Sequence, residues 1–388
     1  MILLLSKIFI REEGEMTNQV RKAYGSLCSI VGICLNVFLF AIKYFAGSIS
    51  GSIAITADAF NNLSDAGSSF ITLIGFWYAG KKPDLEHPFG HGRFEYVSGF
   101  VVSMAILLMG AELAKSSIEK IIHPEPIDTG NLAMAILGIS IAVKIYMACY
   151  NKRIGKKIGS AAMEATSLDS LSDTVATTVV LAAMVVMRFM GVNIDGICGV
   201  LVAVFILYAG YNAAKETISP LLGKVPEPEF VEQIEHIVMA HEGILGTHDL
   251  IVHDYGPGRL MISLHAEVPG NGNIFDLHDK IDRIERELKE KLGCEAVIHM
   301  DPIEEDNELV KEVRKQLTLQ LKEIEQTITI HDFRMVTGPT HTNLIFDVVV
   351  PYHIKMTDEE IIRQVQEQVQ KLDSSYISVI NIDKTYVK

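Results

Sequence analysis

Apolar residues crowd the first two hundred or so positions of this chain and thin out sharply after that. Six apolar segments stand out, at about 24–47, 52–79, 95–115, 130–150, 161–190 and 195–214. Each, wound as a helix, is long enough to cross a hydrocarbon core about 30 Å thick. From Pro226 onward the pattern becomes that of a water-facing domain. It predicts a helix near 228–241, a strand over His248–His253, a turn at Gly256-Pro257-Gly258 and a strand over Leu260–Val268. A helix near 276–292 and a strand over Glu295–Met300 complete a small α+β sandwich.

The same pattern then recurs. An offset of 82 residues sets Pro257 on Pro339, Pro269 on Pro351, Val297-Ile298 on Val379-Ile380 and Asp301 on Asp383. His248-Asp249 matches His331-Asp332 with a one-residue difference in the turn, and Pro302–Asn307 links the copies. A duplicated unit is the reading this supports.

Charge sharpens the division. Residues 223–388 carry 17 Lys and Arg against 31 Asp and Glu, so the whole net charge of −14 sits in the tail and the front balances. So acidic a tail argues against nucleic acid and against anionic lipid as partners, and favours cations. Basic residues cluster at 80–94 (Lys81, Lys82, Arg93) and at 151–159 (Lys152, Arg153, Lys156, Lys157), both read as loops. The intervening connections carry little or no excess positive charge, which places the basic loops, both termini and the tail in the cytoplasm. The start, MILLLSKIFIREEGE, has no small-residue cleavage site and reads as an extension rather than a secretory signal, with Met16 an alternative start. Five cysteines without a CxxC pair give neither a disulfide framework nor a thiolate site.

Chemistry enters where polar residues interrupt the apolar segments. Asn61 and Asp65 lie four apart in the second segment, Asp169 and Asp173 four apart in the fifth, so each pair shares a helix face. A carboxylate near the bilayer centre costs about 2.5–3.5 kcal/mol on insertion scales, so three require a positive partner. A divalent cation held between two helices supplies it. Pairing with Lys43 or Lys144 is the alternative. All-oxygen donors suit Mn²⁺, Mg²⁺ or Ca²⁺, whereas zinc favours His and Cys. Asp58 and Glu164 stand nearby as vestibule or proton-relay acids, or simply as solvated acids at helix ends. A second set, Asp84, His87 and His91, has ligand-like spacing in a loop that Pro88 and Gly90 keep from being a helix. A third lies in the first tail unit: His248, His265, His299 and Asp301, with His278 on the intervening helix. In the second unit the offset puts Asp347, Glu360 and Asn381 where the first has His265, His278 and His299, so that copy reads as a packing or dimerisation module. No nucleotide loop, nucleophile elbow or zinc-protease motif points to an enzyme.

The stretches ADAFNNLSD, DLEHPFGHGRFE, SLDSLSD and HDL…SLHAEV…VIHMDP resemble, in order, the motifs of the cation diffusion facilitator family. The resemblance covers about residues 20–303 and implies a homodimer with six transmembrane helices per subunit and a cytoplasmic ferredoxin-like metal-binding domain. It also implies a transport site on the second and fifth helices and export of a divalent cation in exchange for protons. Asn61 and Asp169 depart from the zinc-transporting pattern and resemble the manganese-exporting branch. The expected organisation is an extension (1–19), a membrane domain (20–222), a ferredoxin-like metal-binding domain (223–303) and a ferredoxin-like repeat (308–388). The expected function is Mn²⁺ efflux by antiport across the cell (inner) membrane, with Mn²⁺ also a possible regulator. Fe²⁺, Co²⁺ or Zn²⁺ is the alternative cargo, and a membrane-anchored metal sensor the alternative class.

Overall fold

A computed structural model describes residues 2, 5–6, 10, 18–50, 53–123, 130–190, 192, 194–303, 307–352 and 354–385. The chain divides into two compact units, residues 1–224 with 254–259, and residues 225–253 with 260–388.

The first unit is helical. Its long helices are α1 (Asn18–Ser50), α2 (Ile53–Ala79), α3 (Phe94–Ile122), α4 (Asn131–Ile158), α5 (Ala161–Met190) and α6 (Asp195–Ile218). Among the described residues, five helices are long and apolar enough to cross a membrane: α1, α3, α4, α5, and α6 with its short 3₁₀ extension. The sixth long helix, α2, spans 27 residues, and the polar run Asn61–Asp65 with Ser68 and Ser69 lowers its hydropathy. Large apolar side chains such as Phe45, Leu108, Phe189 and Leu201 point outward, as a lipid-facing surface requires. α1 packs on α2, α3 on α6 and α4 on α5. Small residues let the backbones close: Gly110 meets Leu207 of α6, and Gly210 meets Leu107 of α3.

One sequence expectation is corrected here. The basic stretch 151–159 is not a loop but the last turns of α4, which ends at Gly159 in the left-handed region (φ 60°). Lys156 and Lys157 lie in the final turn, where cations complement the helix dipole, so charge extends the helix past its apolar part. Residues 116–122 are helical for the same reason of continuity, as the end of α3.

The second unit contains α7 (Pro228–Met239), β1 (Gly246–Asp254), β2 (Leu260–Pro269), α8 (Ile274–Leu292) and β3 (Cys294–Ile303). They are followed by α9 (Glu308–Ile324), β4 (Thr329–Thr337), β5 (Thr342–Pro351), α10 (Asp358–Leu372) and β6 (Tyr376–Thr385). Each half forms a three-stranded sheet, ordered β1-β2-β3 and β4-β5-β6. The closing pairs, β2 with β3 and β5 with β6, are parallel, as a crossover helix demands. β5 and β6 begin 82 residues after β2 and β3, and β4 begins 83 after β1. The cores match in kind: Ile234, Leu264, Ile284 and Leu288 fill one, Leu317, Phe346, Ile361 and Val365 the other. Asp249 (φ 53°) and Asp332 (φ 52°) are the non-glycine residues with positive φ among those described, one in each half, just after a histidine.

Candidate metal centre

Asp65 on α2 and Asp169 and Asp173 on α5 each place an oxygen within 4.8 Å of the others. The pairing of α2 and α5 is fixed one turn away, where the hydroxyls of Thr72 and Thr166 are 2.9 Å apart. Ser167 Oγ donates to Ala148 O at 2.8 Å and ties α5 to α4. From α4, Lys144 Nζ donates to Asp65 Oδ2 at 2.7 Å and to Asp173 Oδ2 at 2.6 Å. The ion pair that the sequence offers as an alternative is therefore present, and Lys43, also buried, adds a second positive charge that acts on Asp65, so two ammoniums face three carboxylates. Asp65, Asp169 and Lys144 are all buried, and Asp169 Oδ1 has no hydrogen-bond partner. Against the ammoniums of Lys144 and Lys43 the three carboxylates keep an excess of negative charge, which favours a cation.

Asn61 is exposed, whereas its neighbour Asn62 is 97% removed from solvent at 3% exposure. One residue turns a helix by about 100°, so a two-Asn run puts one amide inside and one outside. Glu164 is exposed in the first turn of α5 and lines a cavity of about 310 Å³ with Lys152, Leu168, Leu171 and Glu216. The side chain of Asp58 lies outside the described residues.

The loop cluster does assemble. Asp84 faces His87 Nδ1 at 3.6 Å and His91 Nε2 at 3.4 Å, and the two imidazoles lie 4.5 Å apart. Its carboxylate also accepts the backbone N–H groups of His87 and Glu86, and the His87 bond chiefly holds Asp84 below the usual carboxylate pKa. Gly90 (φ 87°) makes the turn that returns His91 to the carboxylate. His91 is buried, and its Nδ1 makes no hydrogen bond.

In the second unit, Asp301 gathers three imidazoles: His265 at 2.8 Å, His248 at 3.1 Å and His299 at 3.3 Å. Register explains this, since His265 on β2 stands beside His299 on β3 and Asp301 follows two residues on. His278 does not join them. It is exposed on α8 and faces Asp282, one turn along the same helix. The second half, read from the sequence as a packing or dimerisation module, also contributes side chains here. His331, Asp332 and Asp383 enter the same region, His331 stacking on His248 with ring centres 4.1 Å apart. The repeated His-Asp dipeptide was the signal for it.

Residues 29–222 match the cation efflux transmembrane domain, and residues 226–303 match the cytoplasmic domain of cation efflux proteins. The chain belongs to the cation diffusion facilitator family. An uncharacterised transporter of Methanocaldococcus jannaschii is 32% identical over 72% of this chain and 97% of its own length. The cation-efflux pump FieF of Klebsiella pneumoniae is 27% identical over 73% of this chain and 95% of its own length. The FieF pump of Salmonella typhi is 28% identical over the same shares. As a cation diffusion facilitator the chain is a multi-pass membrane transporter for divalent cation efflux, not an enzyme.

Proposed function

We propose that the chain exports Mn²⁺ in exchange for protons, with Asp65, Asp169 and Asp173 as the transport site, and without Asn61, whose amide is exposed. The observation that carries this reading is the buried convergence of three carboxylates from α2 and α5, with neither imidazole nor thiolate among the donors. Hard oxygen donors favour Mn²⁺ over Zn²⁺. Lys144 holds two of the carboxylates when no ion is bound and yields to the ion when one enters. The carboxylates bind protons on the outer side and release them inside, as the helices rock to alternate access.

In the same reading α2 is the sixth span, both termini and the basic helix ends face the cytoplasm, and the transporter lies in the cell membrane as a homodimer. The tail arose by duplication, and its histidine clusters, with the Asp84 loop, bind metal and regulate transport. Uptake of Mn²⁺, Fe²⁺, Co²⁺ and Zn²⁺ into proteoliposomes tests the cargo. Preference for Mn²⁺ supports the reading. Preference for Zn²⁺ would place selectivity outside the three carboxylates.

A further inference from the structure

The two halves of the tail meet across a cleft of about 1270 Å³, lined from both sides by histidine and aspartate. Arg314 of the second half bonds Glu267 of the first at 3.2 Å, so the halves are joined beside it. Within it the side chains follow an approximate twofold exchange. His248 Nε2 faces Asp301 of its own half at 3.1 Å and Asp332 of the other half at 3.8 Å. His331 Nε2 faces Asp383 of its own half at 3.3 Å and Asp249 of the other half at 3.6 Å. The crossing aspartates are the two that hold positive φ, a conformation that Asp tolerates better than most residues.

Neither nitrogen of His331 makes a hydrogen bond, although the residue is only 4% exposed, and His248 Nε2 is likewise buried without one. Buried polar atoms are normally satisfied. Both Nε2 atoms stand among carboxylate oxygens at 3.1–3.8 Å. Ligands bound to one tetrahedral cation at about 2.0–2.1 Å are separated by roughly 3.3 Å. Asp249, Asp301, Asp332 and Asp383 together carry the charge that two divalent cations neutralise.

We propose that the tail holds a pair of divalent transition-metal ions between its halves, one at His248, Asp301 and Asp332, the other at His331, Asp383 and Asp249. The second half is then a ligand donor within a single chain, although it lies beyond both family matches, which end at residues 222 and 303. This rests on the reading of the tail as metal-binding and is independent of the membrane cargo.

The test uses the full-length protein in detergent, carrying Asp173→Ala to weaken the membrane site, titrated with Co²⁺ against a chelator. The visible d–d absorption reports tetrahedral imidazole ligation. His331→Gln should lower the Co²⁺ count by one per chain. Asp332→Asn, which keeps a residue tolerant of positive φ, should weaken the ion at His248 by about tenfold or more with an unchanged circular dichroism spectrum. Parent stoichiometry and affinity in both variants would overturn the proposal. If His331→Gln disturbs folding, Asp332→Asn decides alone. A further outcome separates the two readings: if His248→Gln also changes nothing, the tail does not bind Co²⁺ at all and the metal-binding reading falls with the proposal. If His248→Gln weakens binding and the second-half variants do not, only the present proposal falls.

Discussion

Lys144 gives the sharpest handle on the membrane site. Its ammonium lies 2.7 Å from Asp65 and 2.6 Å from Asp173, in a setting that excludes water from all but part of Asp173. At an effective dielectric constant near 20, each contact corresponds to about 6 kcal/mol of Coulomb attraction, much of it offset by desolvation. Removing one side of a buried ion pair destabilises by about 3–5 kcal/mol because the remaining charges stay buried. Lys144→Met keeps the length of the side chain and removes the charge. Without metal, the variant should lose about 3–5 kcal/mol. Mn²⁺ should restore most of it, since an ion at a hundred times its Kd stabilises by about 2.7 kcal/mol and now meets no competing ammonium. Thermal unfolding in detergent, with and without Mn²⁺, measures both effects. The variant should show a lower metal-free Tm, a larger rise on adding Mn²⁺, tighter Mn²⁺ binding and slower flux, because nothing refills the site on release. A wild-type metal-free Tm with a wild-type Mn²⁺ shift would refute the assignment of Lys144 as the resident counter-charge.

Other outcomes follow from the same geometry. Asp65→Asn and Asp173→Asn each remove one anion and should abolish Mn²⁺ flux in vesicles at wild-type expression; flux within twofold of wild type would place the cargo elsewhere. Asp169→His supplies an imidazole that zinc prefers, so the Zn²⁺ to Mn²⁺ flux ratio should rise about tenfold, about 1.4 kcal/mol of preference. An unchanged ratio would show that selectivity is not set at α5. Leu264, 2% exposed in the first tail core, should cost about 2–5 kcal/mol as Leu264→Ala and lower the tail's unfolding midpoint in denaturant.

Much of the architecture could be read before the structure, and the failures have physical causes. The apolar segments lie within the long helices because burial and lipid exposure select the same residues. Helix ends were misjudged where charge continues a helix beyond its apolar part, as at Lys152–Lys157. The i,i+4 rule brought Asp169 and Asp173 onto one face but paired Asn61 with Asp65, whereas the structure buries Asn62 and exposes Asn61. Asp84, His87 and His91 converge even though Pro88 and Gly90 forbid a helix, because the turn at Gly90 does what helical spacing would have done. His278 was grouped with the tail ligands by residue type, while its helix face carries it to the surface. His331 was discounted by aligning one half to the other. Its place beside His248 comes from contact between the halves, which no local period encodes.

Proton movement coupled to metal uptake tests the transport mechanism most directly. The full-length protein is reconstituted into sealed vesicles with a trapped pH indicator, and Mn²⁺ is added to the outside. Mn²⁺ entry should drive protons out, with saturating kinetics, and both fluxes should vanish together in Asp65→Ala and Asp173→Ala. Mn²⁺ entry without proton counterflow, or proton-coupled flux that survives both substitutions, would contradict Mn²⁺–proton exchange at the carboxylates of α2 and α5.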